Sequence, residues 1–511
     1  MLRHLRNSFR LLRVGWVLAR NDALFPLQET RFAPATTLLC KLFRKRRNSL
    51  RQGERLAEAL QKLGPSYVKL GQSLSTRSDI IGDEIAKDLA DLRDGLPPFP
   101  MAQVRGIIEA EFEKPLEDVY ASFDETPIAA ASIAQVHFAT THEGDEVAVK
   151  VIRPNIRADF ARDIELFEWI ASLLDGRAEL VRFKPAKVVE TFAESVKMEL
   201  DLRFEGSSAA ELRDNMKHDA EFYVPKVYWA QTSGRVLTLE RINGTKISDL
   251  ETLKAKGHDF QKLVKIAAEG FFNQVFRDGY FHADLHPGNL FVLDDGRVAA
   301  VDFGIMGRVN WQERIYIAQI LKGFLEGDYH KVARMHFDAG YVPAHKNADH
   351  FATAARAIGE PILGLPLDQI SVANLLEQLF QVAADFEMQT QPQLLLLQKT
   401  MMVAEGVGRM LVPNVNMWKL AEPLVMEWVA LNFGPKAQIK NITEHVGNIA
   451  ERLPAAIKHA ENLLQKVDSG GLKLHPDTVK ALLAERRHSH NQWLLLAWAG
   501  LIGFGLLLYS N

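Results

Sequence analysis

The sequence predicts an α+β chain in two lobes, a small one built on short strands and a larger one that is mostly helical. Three observations carry this. Strand-like runs cluster at Ile128–Thr141, Asp145–Arg153 and Arg235–Gly244. Helical patterning occupies 159–175 and 185–213 between them and resumes after Gly244. A chain of 511 residues is also long for a single core, so two or more lobes or domains are expected.

The bulk composition narrows the class. Hydrophobic residues make up 47% and charged residues 24%, an ordinary globular balance that excludes a wholly disordered chain. The net charge is only -3, but residues 1–53 carry twelve Lys/Arg against two acids, so the remainder sums to -13. A basic end on an acidic body suits an anionic surface such as lipid headgroups. Nucleic acid is a poor match, because the basic segment is local and sits beside an apolar stripe. Cys40 is the one cysteine, which rules out an intrachain disulfide and the usual zinc cysteine clusters, and points to a reducing compartment.

Residues 1–53 have no secretory signal, since no uninterrupted apolar stretch follows the first charges. Leu5, Phe9, Leu12 and Trp16 fall at helical spacing with Arg3, Arg6, Arg10 and Arg13 beside them. This pattern fits an interfacial amphipathic helix and equally a surface helix packed on its own domain. A mitochondrial transit peptide would also be rich in Arg and poor in acids. Residues 54–120 form a helical extension. Gly64-Pro65 stops LAEALQKL, and Pro65 opens the next helix, SYVKLGQSLSTR. Leu96–Pro100 is a loop, and helical patterning returns over Met101–Phe112.

Residues 121–243 make the small lobe, with a helical pair inserted among its strands. Residues 244–487 make the large lobe. It is interrupted by Tyr280–Gly304, a loop followed by a hairpin turning at Asp295-Gly296. Leu394–Arg409 reads as a packed core helix rather than a lipid channel. The uncharged stretch Trp493–Tyr509 has the length of a short transmembrane helix. Arg486, Arg487 and His488 before it place the main body on the cytoplasmic side of a bacterial inner membrane, as a tail anchor, with a mitochondrial inner membrane as the alternative. Ala499 and Gly503 give a small-xxx-small step suited to packing on another helix, a second copy included.

The chemistry lies in four motifs. A lysine ending the apolar strand VAVK, Lys150, needs a partner if it is buried. Kinases use such a lysine to hold the α- and β-phosphates of ATP, paired with a helix glutamate. In HADLHPGN, Asp284 is followed five residues on by Asn289, the spacing of a kinase catalytic base and metal-holding asparagine. The strand VAAVDFG then delivers Asp302 for Mg²⁺, followed by Phe303 and Gly304. A rival reading of His282, Asp284 and His286 as zinc ligands lacks a third protein ligand and supporting shell, and in the kinase-like reading His282 is structural. The glycine template that covers ATP phosphates falls on Ala129, Ala130, Ala131, Ser132, Ile133, Ala134, Gln135 and Val136. Its three glycine positions hold alanine, which makes the loop stiffer.

With these motifs the chain resembles the UbiB (aarF-domain) atypical kinases associated with ubiquinone biosynthesis. The motif resemblance spans roughly residues 1–310. It is carried by the alanine-rich Pro127–His137, by the KxGQ helix at Lys69-Leu70-Gly71-Gln72, and by the ExD motif at Glu199-Leu200-Asp201 with the helix glutamate Glu205. Lys69 and Gln72, three apart, share a helix face. The resemblance implies a bilobal protein-kinase-like fold and binding of ATP and Mg²⁺. ATP-site roles fall to the alanine loop, Lys150, Glu205 and Glu240, and regulatory roles to Lys69, Gln72, Glu199 and Asp201. It further implies ATPase activity, a peptide site covered by the KxGQ face, and partners among ubiquinone-biosynthesis enzymes or lipid precursors. Some bacterial members end in two spans, whereas this chain has one. A protein kinase acting on those enzymes and a silent scaffold are the competing readings; the missing glycines oppose the first and the complete Lys/Glu/Asp/Asn/Asp set opposes the second. No flavin fingerprint or iron triad supports a hydroxylase.

Overall fold

The computed structural model describes residues 2–24, 50–75, 81–90, 92, 97–174, 185–361, 381–383, 385–388, 392–415 and 417–433. The chain divides after Val429, and only the first four residues of the second unit are among those described. The expected span 493–509 lies outside them. Among the described residues no helix is long and apolar enough to cross a membrane.

The N-terminal extension is helical: α1 (Leu2–Arg20), α2 (Gln52–Leu63), α3 (Pro65–Ser75) and α4 (Asp83–Ala90), then α5 (Met101–Phe112) and the single turn α6 (Leu116–Val119). Gly64 ends α2 at φ 115°, and Pro65 takes the first position of α3, where a missing N–H costs nothing. Helices α2, α3 and α4 pack on one another. The fit is close at Gly71, where an added Cβ would stand 2.5 Å from Leu92 Cδ1 and 2.7 Å from Leu60 Cδ1.

The small lobe is an antiparallel sheet of β1 (Ser122–Phe123), β2 (Ala129–Ala130), β3 (Ala134–Thr140), β4 (Glu146–Ile152) and, later in the chain, β6 (Val236–Glu240). Ile128–Thr141, patterned as one strand, is in fact the hairpin β2–β3 turning through Ala131–Ile133. Arg153 fixes the turn: its backbone N–H donates to Ile133 O and its Nε to Ala131 O, at 2.8 and 2.9 Å. A run of alanines carries no polar alternation, so the pattern could not mark that turn. Val147, Val149, Val151 and Val236 point to one face and bury against Val104, Ile107 and Ile108 of α5 and Val119 of α6. On the same face His137 Nδ1–H donates to Asp124 O (2.7 Å), and Nε2 accepts from Gln135 Nε2 (2.9 Å). Burial lowers the His137 pKa.

The helical insert is α7 (Ile156–Leu174), α8 (Pro185–Glu199) and α9 (Leu202–Met216). The expected single helix over 185–213 breaks at Leu200-Asp201, because Asp201 leaves helical geometry (φ -120°, ψ 98°) and its carboxylate accepts the Arg203 N–H, capping α9. In the large lobe β5 (Phe222–Tyr223), β7 (Gly244–Lys246), β9 (Leu290–Leu293) and β10 (Val298–Ala300) form one sheet, and β8 (Tyr280–His282) with β11 (Met306–Arg308) another. Helices α10 (Leu250–Ala255), α11 (Phe260–Phe272), α12 (Trp311–Glu326), α13 (Tyr329–Asp338), α14 (Ala348–Gly359), α15 (Pro392–Leu411) and α16 (Met417–Phe433) complete it. A π-helical turn, Asn273–Asp278, follows α11. Leu397, Thr400, Val407 and Leu411 of α15 are buried.

Two outcomes follow. Gly71→Ala must push Leu60 and Leu92 aside and should destabilise the fold by about 1–3 kcal/mol in denaturant unfolding; an unchanged midpoint contradicts the close fit. His137 is neutral in the fold but takes a proton in the unfolded chain near pH 6.5, so its stability is complete above that pH and drains as pH falls, by up to about 1.4 kcal/mol per unit. Between about pH 7.5 and about pH 5.5 the wild-type Tm should therefore fall more steeply than that of His137→Gln, and equal slopes refute the assignment.

Candidate active site

Lys150 stands in β4 and Glu205 one turn into α9. Lys150 Nζ donates to both Glu205 carboxylate oxygens at 2.8 Å and to Asp302 Oδ1 at 3.3 Å. Burial alone would lower the Lys150 pKa, but the Asp302 and Glu205 charges outweigh it and raise it. Burial pushes the Glu205 carboxyl up, against the pull of Lys150. The two partners thus pull in opposite senses. The symmetric contacts to both oxygens fix the pair as ammonium and carboxylate, the form a buried pair needs to offset its lost hydration.

Asp302 follows β10 in the left-handed backbone region, φ 63°. That conformation costs a non-glycine residue about 1 kcal/mol and must be held by its surroundings. Val301 N–H donates to Asn289 O on one side, and Phe303, almost fully buried, packs edge-on against His282 on the other. The Asp302 side chain is 53% exposed in the cleft. The Lys150 ammonium holds its carboxyl below the usual carboxylate range, and Lys69 adds to the effect.

The loop after β8 is locked from within. His282 is buried; its Nε2–H donates to Val301 O (3.1 Å) and its Nδ1 accepts Asp284 N–H (3.1 Å). Both ring nitrogens are therefore engaged in holding the loop, which removes His282 from the zinc reading. Burial keeps this ring's pKa low even though Asp302 and Asp284 are near enough to raise it. Asn289 Nδ2 donates to Asp284 O (3.1 Å) and Oδ2 (3.3 Å). Asp284 Oδ1 and Asn289 Oδ1 make no hydrogen bond among the described residues.

Of the regulatory set, Lys69 and Glu199 lie near the cleft carboxylates, whereas Gln72 and Asp201 bond elsewhere. Lys69 of α3 pairs with Glu199 at the end of α8, and Gln72 Nε2 donates to Leu92 O at 3.3 Å. Asp201 is engaged by the Arg203 guanidinium at 2.9 and 2.6 Å as it caps the helix that carries Glu205. The ExD motif thus divides its work, with one acid meeting the KxGQ lysine and the other starting the glutamate helix.

Four expected nucleotide contacts sit elsewhere. In the β3–β4–β6 register Val136 and Leu237 lie opposite Lys150, so Gln135 and Glu240 fall on the other face of the sheet. Gln135 bonds the backbone N–H and O of Phe99. Glu240 accepts from Tyr223 OH (2.6 Å) and from Lys226 N–H (3.0 Å). Ser132 is buried in the turn, its hydroxyl making no hydrogen bond among the described residues. Ala129, Ala134 and Val136 share the Lys150 face by register, while Ala130 pairs with Gln135.

Sequence reasoning missed three supports. Arg153 ties the alanine turn to Pro97 O (2.9 Å) as well as to Ala131. Gln274, on the π-helical turn, accepts His282 N–H at 2.9 Å. Thr400, fully buried on α15, sets its hydroxyl 2.8 Å from Leu396 O and 3.1 Å from Ala283 O, so its one hydrogen is shared between its own helix and the carbonyl between His282 and Asp284. Arg153, the residue directly after the strand VAVKVI, stood beside a recognised motif; a threonine 117 residues from its partner gave no local signal.

Acidic oxygens at Asp284 and Asp302, an amide oxygen at Asn289 and a fixed ammonium at Lys150 form a donor set suited to a divalent cation and a polyphosphate. Comparison with known proteins shows the family. Residues 91–336 match the ABC1 atypical kinase-like domain, and residues 355–416 match the UbiB helical domain. A protein named "Probable protein kinase UbiB" from Marinobacter nauticus is 39% identical, covering 97% of this chain and 93% of its own. One of the same name from Pseudomonas putida is 38% identical, covering 99% and 94%. The solved Rv3197–erythromycin complex from Mycobacterium tuberculosis aligns over 77% of this chain and 98% of its own at 24% identity and a TM-score of 0.49. The chain belongs to the UbiB family of ABC1 atypical kinase-like proteins.

Proposed function

We propose that the protein binds Mg-ATP in this cleft and hydrolyses it or transfers its γ-phosphoryl group, at a membrane surface and in support of ubiquinone biosynthesis. The observation that carries the chemistry is the Lys150 ammonium held between Glu205 and Asp302. In this reading Lys150 holds phosphate oxygens and Glu205 keeps it in place. Asp302 and Asn289 hold Mg²⁺, which when bound neutralises phosphate charge. Asp284 Oδ1, left free while Asn289 holds Oδ2, accepts the proton of the attacking hydroxyl or water. The Lys69–Glu199 pair lays α3 beside this site, which favours water or a small acceptor over a peptide. The ubiquinone role rests on family membership and on the names its relatives bear.

The test is ATP turnover by the purified full chain, with and without phenolic quinone precursors. Phosphate release or a phosphorylated precursor supports the reading. Phosphorylated biosynthetic enzymes would make it a protein kinase, and nucleotide binding without turnover a scaffold.

Lys150→Ala should weaken ATP binding about 10- to 100-fold, the value of a charge-assisted phosphate contact. Asp302→Asn should abolish the Mg²⁺ dependence of binding. Asp284→Asn should spare binding and slow turnover about 100-fold or more. Equal loss of binding at 284 and 302, by calorimetric titration, contradicts these separate roles. Thr400→Val should lower kcat up to about tenfold with KM for ATP unchanged, and Thr400→Ser should restore it. Parallel changes in kcat and KM would reduce Thr400 to a packing residue.

A further inference from the structure

Away from the active site, a cavity of roughly 280 Å³ opens between α1, α2, α3 and α7. Arg10 and Arg13 of α1 and Arg162 of α7 line it, together with Asp163, Tyr67 and Leu63. Three guanidiniums meet two carboxylates, Asp163 in the lining and Asp159 paired to Arg162, so a positive excess of one remains. Helix α1 is fixed over it: Arg6 Nη2 meets both Glu165 oxygens at 2.8 and 2.7 Å, and Arg10 Nη1 donates to Arg162 O at 3.3 Å. Arg13 forms no hydrogen bond or ion pair among the described residues. Burial raises the pKa of both Tyr67 and Asp163.

The outer face of α1 is apolar and bare. Phe9 is 67% exposed, Leu12 68% and Trp16 48%, at spacings that align them on one stripe. At about 100° per residue, Arg10 and Arg13 lie roughly a quarter turn round the helix from that stripe. An apolar edge running beside an arginine-lined cavity matches an amphiphile with a phosphate head rather than a soluble anion.

We propose that this cavity is the headgroup site of an anionic phospholipid, with α1 lying in the membrane interface. Phe9, Leu12 and Trp16 enter the acyl boundary, and Arg10, Arg13 and Arg162 take the lipid phosphate, for which the guanidinium fork is suited. This deepens the membrane-surface part of the proposed function to a defined site. It is independent of ATP chemistry, so either can fail without the other.

The experiment titrates the full chain with vesicles of phosphatidylcholine alone and of phosphatidylcholine with phosphatidylglycerol. The readout is the ratio of the two affinities, which cancels any contribution from the C-terminal apolar segment. In Arg13→Gln/Arg162→Gln this ratio should fall about 30-fold, at about fivefold per arginine near an anionic surface. Arg13→Lys/Arg162→Lys, which keeps the charge, should recover most of it, and shows that a loss is not one of folding. Lys187→Gln/Lys265→Gln, the same charge change elsewhere, should leave the ratio near wild type. A wild-type ratio in the arginine-to-glutamine variant, or an equal loss in the lysine control, overturns the site. Saturable binding of glycerol 3-phosphate without vesicles, lost in the same arginine variant, overturns the lipid assignment in favour of a soluble phosphate ester.

Discussion

The Lys150–Glu205 ion pair is the contact on which the arrangement of the small lobe depends. It joins the sheet to α9 across otherwise apolar packing, and a charge buried there without its partner would be severely penalised. The register of β3, β4 and β6 decides which face Lys150 occupies, and the valine face packed on α5 and α6 fixes that register. Asp201 sets where α9 begins and hence where, one turn later, Glu205 projects. A hydrophobic pattern and a helix cap thus place two charges within hydrogen-bond reach.

Around that pair the charges form a gradient rather than isolated bridges. Lys69 acts on Asp302, and Glu199 on Glu205, although each is paired to the other. The helical extension is therefore an electrostatic part of the cleft, and its displacement would alter both carboxylates at once. The large lobe contributes in a different way, by locking backbone. Gln274 Oε1, the Thr400 hydroxyl and the His282 ring all bond the chain flanking Asp284 or Asp302, leaving the Asp284 side chain to face the cleft.

Much of this was legible in the sequence because it is local. The Asp284–Asn289 spacing, the lysine at the end of an apolar strand and Asp-Phe-Gly after another are short-range patterns, and the hairpin at Asp295-Gly296 announces itself by its turn residues. What was lost depended on facing and distance. Gln135 and Glu240 lie in strands that do border the cleft, but parity puts their side chains on the far side, and only the cross-strand register reveals that. The alanine turn is silent because alanine suits both strand and turn. Thr400 looks like any polar residue in a core helix until the fold brings it to Ala283. The arginine cavity draws on positions near 10, 67 and 162, which no window along the chain would join.

The missing Cβ at Gly71 has a mechanical consequence. Because α3 is seated against Leu60 and Leu92 with no space to spare, it cannot slide or roll on its neighbours as a hinged flap would. To uncover the cleft, α2, α3 and α4 must travel together as one solid block. Motion of that size belongs to the microsecond-to-millisecond range of collective displacements, not to the nanosecond range of loops. Entry to the face beneath Lys69 is thereby tied to the motion of the extension as a whole.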